Sequence, residues 1–275
     1  EITVSGDLIR KKNFTWSSSF NISFVKNEVV ELADDILYSS STGANITTVG
    51  YSLAQLYTYP TDGIDPQTGR RVVLIKKADG SYDRNLLIYK YGKGGAQLYE
   101  LDGETLSKYT LSDWKPEISG NTKPTYYGGW SNTFRYKNWD AKVNFHFSGG
   151  NKILNAMRAT LSDGRMWSGT KEYYDNIWQQ PGDHAKYAKA SYNDNYSNGT
   201  ANLISDLIEN GDFLRLQSLS IGYQFNTKKW SQDLGISSVR LYAQAQNLFC
   251  LTGYTGFDPE INSYYSSANL RSGID

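Results

Sequence analysis

Residues 14–24 read Phe14-Thr15-Trp16-Ser17-Ser18-Ser19-Phe20-Asn21-Ile22-Ser23-Phe24. A β-strand throws successive side chains to opposite faces, so Phe14, Trp16, Ser18, Phe20, Ile22 and Phe24 share one surface while Thr15, Ser17, Ser19, Asn21 and Ser23 share the other. One face is greasy and the other hydroxylic. The stretch has the length, about 9–11 residues, that a tilted strand needs to cross a bilayer. It predicts an all-β fold, and within that class an antiparallel transmembrane β-barrel segment rather than a water-soluble core.

The neighbouring sequence repeats the pattern. Ile2, Val4, Gly6 and Leu8 alternate with Thr3, Ser5 and Asp7, and the polar turn Arg10-Lys11-Lys12-Asn13 makes residues 2–24 a hairpin. Tyr126, Gly128, Trp130, Phe134 and Tyr136 share a face, Lys137-Asn138 turns the chain, and Ala141, Val143, Phe145 and Phe147 return. A third hairpin runs from Leu219, Ile221, Tyr223 and Phe225 through a connection at 226–236 to Val239, Leu241, Ala243, Ala245 and Phe249. Short and long connections therefore alternate. On the barrel rule the short turns are periplasmic, and residues 26–124 and 150–212 lie mainly outside the cell.

The first long segment has room for one more strand pair, with 51–59 and 86–91 as candidates. The second is expected to hold short helices, because Leu154, Met157 and Leu161 fall at helical spacing, as do Tyr174, Ile177 and Trp178 ahead of Pro181.

Composition narrows the function classes. Lys plus Arg number 28 and Asp plus Glu 28, so no global field draws nucleic acid to the chain. No apolar run reaches the 18 or more residues of a membrane-spanning helix, and the negative mean hydropathy is compatible with strands that are polar at every second position. The lone Cys250 forms no internal disulfide, and one cysteine with two histidines makes no metal cage. The 22 Tyr and 7 Trp fit either a membrane–water boundary or sugar stacking. Trp130, Trp139 and Tyr136 are expected to form an aromatic girdle at the periplasmic interface.

Five segments, in order, also resemble one family. They are 14–24 running into Lys26-Asn27-Glu28-Val29-Val30-Glu31-Leu32, then Gly63-Ile64-Asp65-Pro66-Gln67-Thr68-Gly69, then Pro124 to Phe134 with Tyr136-Lys137-Asn138. Gly211-Asp212-Phe213-Leu214-Arg215-Leu216 running to Gly222-Tyr223 is the fourth, and Val239-Arg240-Leu241-Tyr242 through Phe249, Tyr254-Thr255-Gly256 and Asp258-Pro259-Glu260 is the last. Together they resemble the C-terminal barrel region of the SusC/RagA-type TonB-dependent outer-membrane transporters of the Bacteroidetes. The resemblance implies part of a barrel of about 22 strands in the outer membrane of a Gram-negative cell, with a plug filling the lumen. It implies import of oligosaccharides or peptides driven through the TonB complex, and a SusD-like surface lipoprotein as lid. No cofactor is implied. It also implies a plug and TonB box upstream and one more strand downstream, so residues 1–275 are read as the C-terminal portion of a longer receptor.

No nucleophile elbow, dyad or carboxylate pair at glycosidase spacing is found, so no catalytic, cofactor or metal residue is nominated. The Asp65 and Asp258 segments read as turns. Arg240, Gln244 and Gln246 should face the lumen, as contacts for plug or solute. In the Asn/Asp/Ser-rich segment 191–199, Tyr192, Asn195 and Tyr196 are the candidate solute contacts, on what reads as a flexible surface loop. Arg215 shares parity with Leu219 and Ile221, which would aim it at lipid unless a bulge or a loop contact intervenes. The rival readings are a secreted carbohydrate-binding β-sandwich and a β-rich glycoside hydrolase. The first would bury the apolar faces between two sheets, and the second would need two essential carboxylates.

Overall fold

The computed structural model describes residues 1–33, 36–38, 44–163, 169–226, 238–260 and 273–274. Its strands in chain order are β1 (Ile2–Lys11), β2 (Phe14–Phe24), β3 (Ile36–Tyr38), β4 (Asn45–Thr48), β5 (Gln55–Thr58), β6 (Thr61–Ile64), β7 (Arg71–Lys76) and β8 (Tyr82–Lys90). They continue with β9 (Gly95–Tyr99), β10 (Glu117–Gly120), β11 (Tyr126–Tyr136), β12 (Trp139–Gly149), β13 (Lys152–Leu154), β14 (Ile208–Asn210), β15 (Phe213–Gln224) and β16 (Arg240–Thr252). Among the described residues the second long segment does hold two short helices, α1 (Ala156–Leu161) and α2 (Lys171–Asn176), though of the residues read at helical spacing only Met157, Leu161 and Tyr174 lie in them, Leu154 belonging to β13 and Ile177 and Trp178 following α2.

Contacts divide the chain into two compact units. The first comprises Glu1–Lys26, Pro124–Gly150 and Gly211–Tyr254, and the second Asn27–Lys123, Asn151–Asn210 and Thr255–Asp275.

The first unit is one antiparallel sheet in the order β1-β2-β11-β12-β15-β16. β2 occupies the residues on which the alternation was read. The first turn is tighter than expected, because β1 runs on to Lys11 opposite Phe14. Lys137 takes φ 52°, the left-handed conformation that a two-residue turn between twisted strands requires. The connection expected at 226–236 lies almost wholly outside the described residues.

Registry lines up side chains of one character across all six strands. Val4, Phe20, Trp130, Phe145, Leu216 and Phe249 are successive partners, as are Ser5, Ser19, Ser131, Asn144, Ser218 and Gln246 on the other face. The polar row is stitched by hydrogen bonds, Asn144 donating to Ser218 Oγ at 2.7 Å. The apolar face is open toward the sheet's edges and ends, where Val4 and Phe24 are each 65% exposed and Leu241 68%, and is closed over at Leu216, which its neighbours bury.

Two polar residues interrupt the apolar face for a physical reason. Ser18 and Asn132 are paired across β2 and β11, and they accept the indole N–H groups of Trp130 and Trp16, each at 2.9 Å. An indole donor in an apolar medium needs such an acceptor. Trp130 is therefore a mid-strand residue, six positions before the turn, and does not belong to the expected girdle. Tyr136 and Trp139 do flank the turn, in a row with Phe14 and Tyr223.

Arg215 departs from simple alternation because the ladder skips Gln217 between Leu216 and Ser218. This bulge reverses the parity, so Leu216 joins the apolar row while Arg215 pairs with His146 and Cys250 on the polar face.

The second unit holds three further sheets: β10-β5-β4-β3, β6-β7-β8-β9 and the pair β13-β14. The expectation of one extra strand pair in 26–124 is therefore corrected to eight strands, β3 to β10, among the described residues. The candidate stretches 51–59 and 86–91 do carry strands, β5 and the end of β8, but in different sheets. Short strands buried on both faces have no clean alternation, and β7 is such: Arg71, Val72, Val73 and Ile75 are all buried. Leu56, Val73, Leu87, Leu98, Trp114, Leu154, Ala159, Ile204 and Leu207 belong to one buried apolar core.

Candidate functional site

The second unit concentrates its buried charge in one network. Arg71 opens β7 and is only 2% exposed, its Nε donating to the Ser197 carbonyl at 2.8 Å and its Nη1 to Asp206. Burial, reinforced by the like charge of Arg158, pushes the Arg71 guanidinium down to about 9, still charged at neutral pH. Thr61 Oγ1 donates to the other oxygen of Asp206 at 2.8 Å.

The second ion pair is Arg158 with Glu209, at 2.6 Å and nearly enclosed. Asn155 caps α1 by accepting from the Arg158 backbone N–H at 2.8 Å, which places that guanidinium one turn into the helix. Glu209 is a hub. It also accepts from Asn155 Nδ2 at 3.2 Å, from Thr255 Oγ1 at 2.8 Å and from the Thr255 backbone at 2.7 Å.

Glu172, in the first turn of α2, extends the network to the solvent-exposed edge. It accepts from Tyr187 at 2.6 Å and Lys186 at 2.7 Å. Burial works against its carboxylate, yet those two bonds outweigh burial and hold the group below the usual range. Burial pushes the Tyr187 hydroxyl up, and the bond to Glu172 adds to the effect.

Two cavities open on this network. One of about 360 Å³ has Met157, Leu161 and Phe257 as apolar wall and Asn155, Arg158, Glu172 and Thr255 as polar floor. Another of about 280 Å³ is bounded by Arg71, Arg158, Lys186 and Asp206. Both share Arg158 and Tyr187. Paired charges beside apolar walls can hold and orient a solute. Among the described residues no group of three or more His, Cys, Asp or Glu is placed to hold a metal ion.

The residues nominated from sequence lie elsewhere. Arg240, Gln244 and Gln246 share the polar face of β16, opposite Gln224, Ser220 and Ser218. Arg240 is engaged: its Nη2 and Nε donate to Asp140 at 2.6 and 3.2 Å, reaching over β15 from β16 to β12. The strand crossed presents Gly222 at that point, where a Cβ would come within 2.8 Å of Asp140 Oδ1 and closer still to Arg240 Nη2.

Tyr192, Asn195 and Tyr196 are on a folded loop, which corrects the expectation of a flexible one. Asp194 accepts from the Tyr196 and Ser197 backbones and from Ser197 Oγ, Asn195 O accepts from Ala201 at 2.7 Å, and Ser197 is buried. Such Asx bonding makes a polar composition rigid. Tyr196 stacks on Tyr89 at 6.3 Å, whereas Tyr192 meets Tyr91 edge-on at 4.9 Å with both rings exposed. The Asp65 segment is a turn, as read: Asp65 Oδ2 accepts from Thr68 at 2.6 and 2.7 Å, and Gly69 takes φ 69° beneath the Trp178 ring.

Sequence reasoning missed the charge network, whose members are scattered from 71 to 255. The one available signal was Arg71 at the head of the apolar run Val72-Val73-Leu74-Ile75, a charge that such a run buries only with a partner.

No family model matches the chain. TonB-dependent receptor P3 of Formosa agariphila is 29% identical over 280 residues, 99% of this chain and 26% of the relative. TonB-dependent receptor P39 of the same organism is 26% identical over 288 residues, 96% of this chain and 27% of the relative. The chain is similar to SusC/RagA-type TonB-dependent receptors. SusC itself, from Bacteroides thetaiotaomicron, is 24% identical over 287 residues, covering 96% of this chain and 24% of SusC. Among solved structures, that of the RagAB peptide transporter superposes with a TM-score of 0.71 at 20% identity, over 99% of this chain and 26% of that one. Its open-open state gives 0.70. The SusC/RagA-type fold is thus matched throughout, and the chain spans about a quarter of the length of these relatives. All these names are those of receptors or transporters.

Proposed function

We propose that the chain supplies wall and outward-facing structure to an outer-membrane receptor that imports oligosaccharides or peptides by a TonB-dependent route. The first unit would be wall, its apolar face against lipid and its polar face toward the lumen. The observation that carries this is the apolar row running from Val4 to Phe249 across six strands, exposed at Val4, Phe20, Trp130 and Phe249, with the tight turns at one end of the strands and the long excursions at the other. A carbohydrate-binding sandwich would bury that row against a second sheet.

On this reading Arg240, Gln244 and Gln246 line the lumen, where a plug or solute meets them. Tyr192, Asn195 and Tyr196 are offered outside, to the solute or to a SusD-like lipoprotein. The family names support import, and the two solute classes come from what SusC-type and RagA-type relatives imply.

The test is to delete the native gene in its host and follow uptake of labelled oligosaccharides and peptides, with TonB depleted in parallel. Loss of uptake of one class in both strains, restored by the full-length gene in the presence of TonB, is the expected result. Unchanged uptake of both classes, or recovery of the full-length protein from the soluble fraction without detergent, would overturn the proposal.

A further inference from the structure

We infer that the turn end of the six-stranded sheet is a docking rim for the headgroups of anionic phospholipids in the periplasmic leaflet. The chain is neutral as a whole, but this end of it is not. Arg10, Lys11 and Lys12 stand at the first tight turn and Arg135, Lys137 and Lys142 around the second, and the only carboxylates on those stretches are Asp7 and Asp140. Both carboxylates are already engaged. Arg10 lies 3.9 Å from Asp7, and Arg240 holds Asp140 at 2.6 Å. Among the described residues Lys11, Lys12 and Lys137 have no ion pair.

These three lysines stand where headgroups would meet a membrane wall. Lys11 is opposite Phe14 and so belongs to the apolar face, in the row that continues through Tyr136, Trp139 and Tyr223. Lys12 and Lys137 sit in the two tight turns, and the turns touch, the Lys137 backbone N–H donating to the Asn13 carbonyl at 3.0 Å. Lys137 Nζ also lies over the Tyr136 ring, 5.4 Å from its centre. All three lysines are exposed. A lysine at the end of an apolar face lays its methylenes along that face and carries its ammonium to the interface. Several unpaired ammonium groups together favour an anionic lipid over a zwitterionic one.

The inference rests on the reading of the first unit as membrane wall. Full-length receptor in detergent micelles doped with phosphatidylglycerol or with phosphatidylcholine would be examined by native mass spectrometry for bound lipid. Phosphatidylglycerol should bind about fivefold more tightly or better. The triple change Lys11→Gln, Lys12→Gln and Lys137→Gln should bring the two lipids within about twofold of each other, and Lys12→Gln alone should lower the preference part-way. Lys142→Gln, on the polar face opposite Thr133, should leave the preference intact. Every lysine changed is exposed, so the variants should fold, which unchanged heat-modifiability on gels verifies.

The leaflet is tested separately. Asn138→Cys in a Cys250→Ser background should react with a membrane-impermeant maleimide only after the outer membrane is permeabilised, relative to Cys250→Ser alone. Labelling in intact cells would turn the rim toward the outer leaflet and overturn the assignment to periplasmic phospholipid. Equal binding of the two lipids by the wild type, or a preference that the triple variant keeps, would overturn the rim. A receptor that needs detergent yet gives either result loses this inference and keeps the wall, whereas one soluble without detergent loses the wall reading itself.

Discussion

Valine, leucine and phenylalanine populate both units of this chain, yet they meet opposite fates. In the second unit Leu56, Val73, Leu87 and Leu154 are fully buried by protein, whereas in the first Val4, Phe24 and Leu241 stand uncovered on one sheet face. Polar residues differ in the same sense. Serine and asparagine in the first unit form a continuous row along one surface, while in the second Arg71, Asp206, Arg158 and Glu209 are drawn inward and paired. The second unit is stabilised as water-soluble domains are, by burial and by satisfied internal polar groups. On the reading proposed above, the first has a non-aqueous medium against its apolar face.

The largest effect expected from breaking this contrast is at Arg71. Arg71→Met leaves Asp206, largely covered at its side chain, and the Ser197 carbonyl without their buried cation, which should destabilise the second unit by about 3–5 kcal/mol. Thermal unfolding of the full-length receptor, followed by limited proteolysis within 27–123, would measure it. An unchanged profile would mean that the pair contributes nothing.

The sheet faces come next. Phe20→Arg, on the apolar face, should impair membrane assembly by about 2–4 kcal/mol, and Phe20→Asp or Ile22→Asp by somewhat less. Ser19→Asp, on the polar row, should assemble normally. Folded fractions from heat-modifiability on gels would rank them, and equal tolerance at all these positions would dissolve the distinction between the faces.

Gly222→Val tests whether polar side chains on the sheet are organised too. A side chain there displaces Arg240 from Asp140, and because that pair is largely solvated the loss of stability should be small. A double-mutant cycle with Arg240→Gln would show the two effects to be non-additive.

The smallest effect is acid sensitivity around Glu172. Its folded-state value lies below the ordinary 4.5, so its bonds to Tyr187 and Lys186 contribute stability that is present above about pH 4.5 and lost as pH falls through the folded value. Melting temperature recorded from pH 6 to pH 3 should fall less steeply in Glu172→Gln than in the wild type. Identical slopes would remove Glu172 from the acid response.

How much of this was legible in the residues depends on whether the information is local. Alternation in 14–24 and in 126–149 set strand limits, faces and the intervening turn correctly, because side-chain period and turn chemistry depend on adjacent residues. Trp130 misled because its composition suits an interface, whereas its depth depends on where the strand ends. Arg215 was ambiguous by one residue, since a bulge is a property of two paired strands and not of either alone. The loop at 191–199 looked flexible because its Asn, Asp and Ser residues solvate well. Tertiary contacts with Arg71 and Tyr89 turned the same groups inward.

By itself, then, the sequence determined an all-β chain of amphipathic hairpins, its greasy and hydroxylic faces, and its likeness to the SusC/RagA type. Each follows from spacing along a single strand or from short motifs. Only the tertiary structure decided that the long excursions fold into further sheets, that Arg240 is held by Asp140 across a glycine, and that charges from 71 to 209 meet around two cavities. Those features are contacts between residues scores of positions apart, and no local pattern encodes which distant partner a buried charge will find.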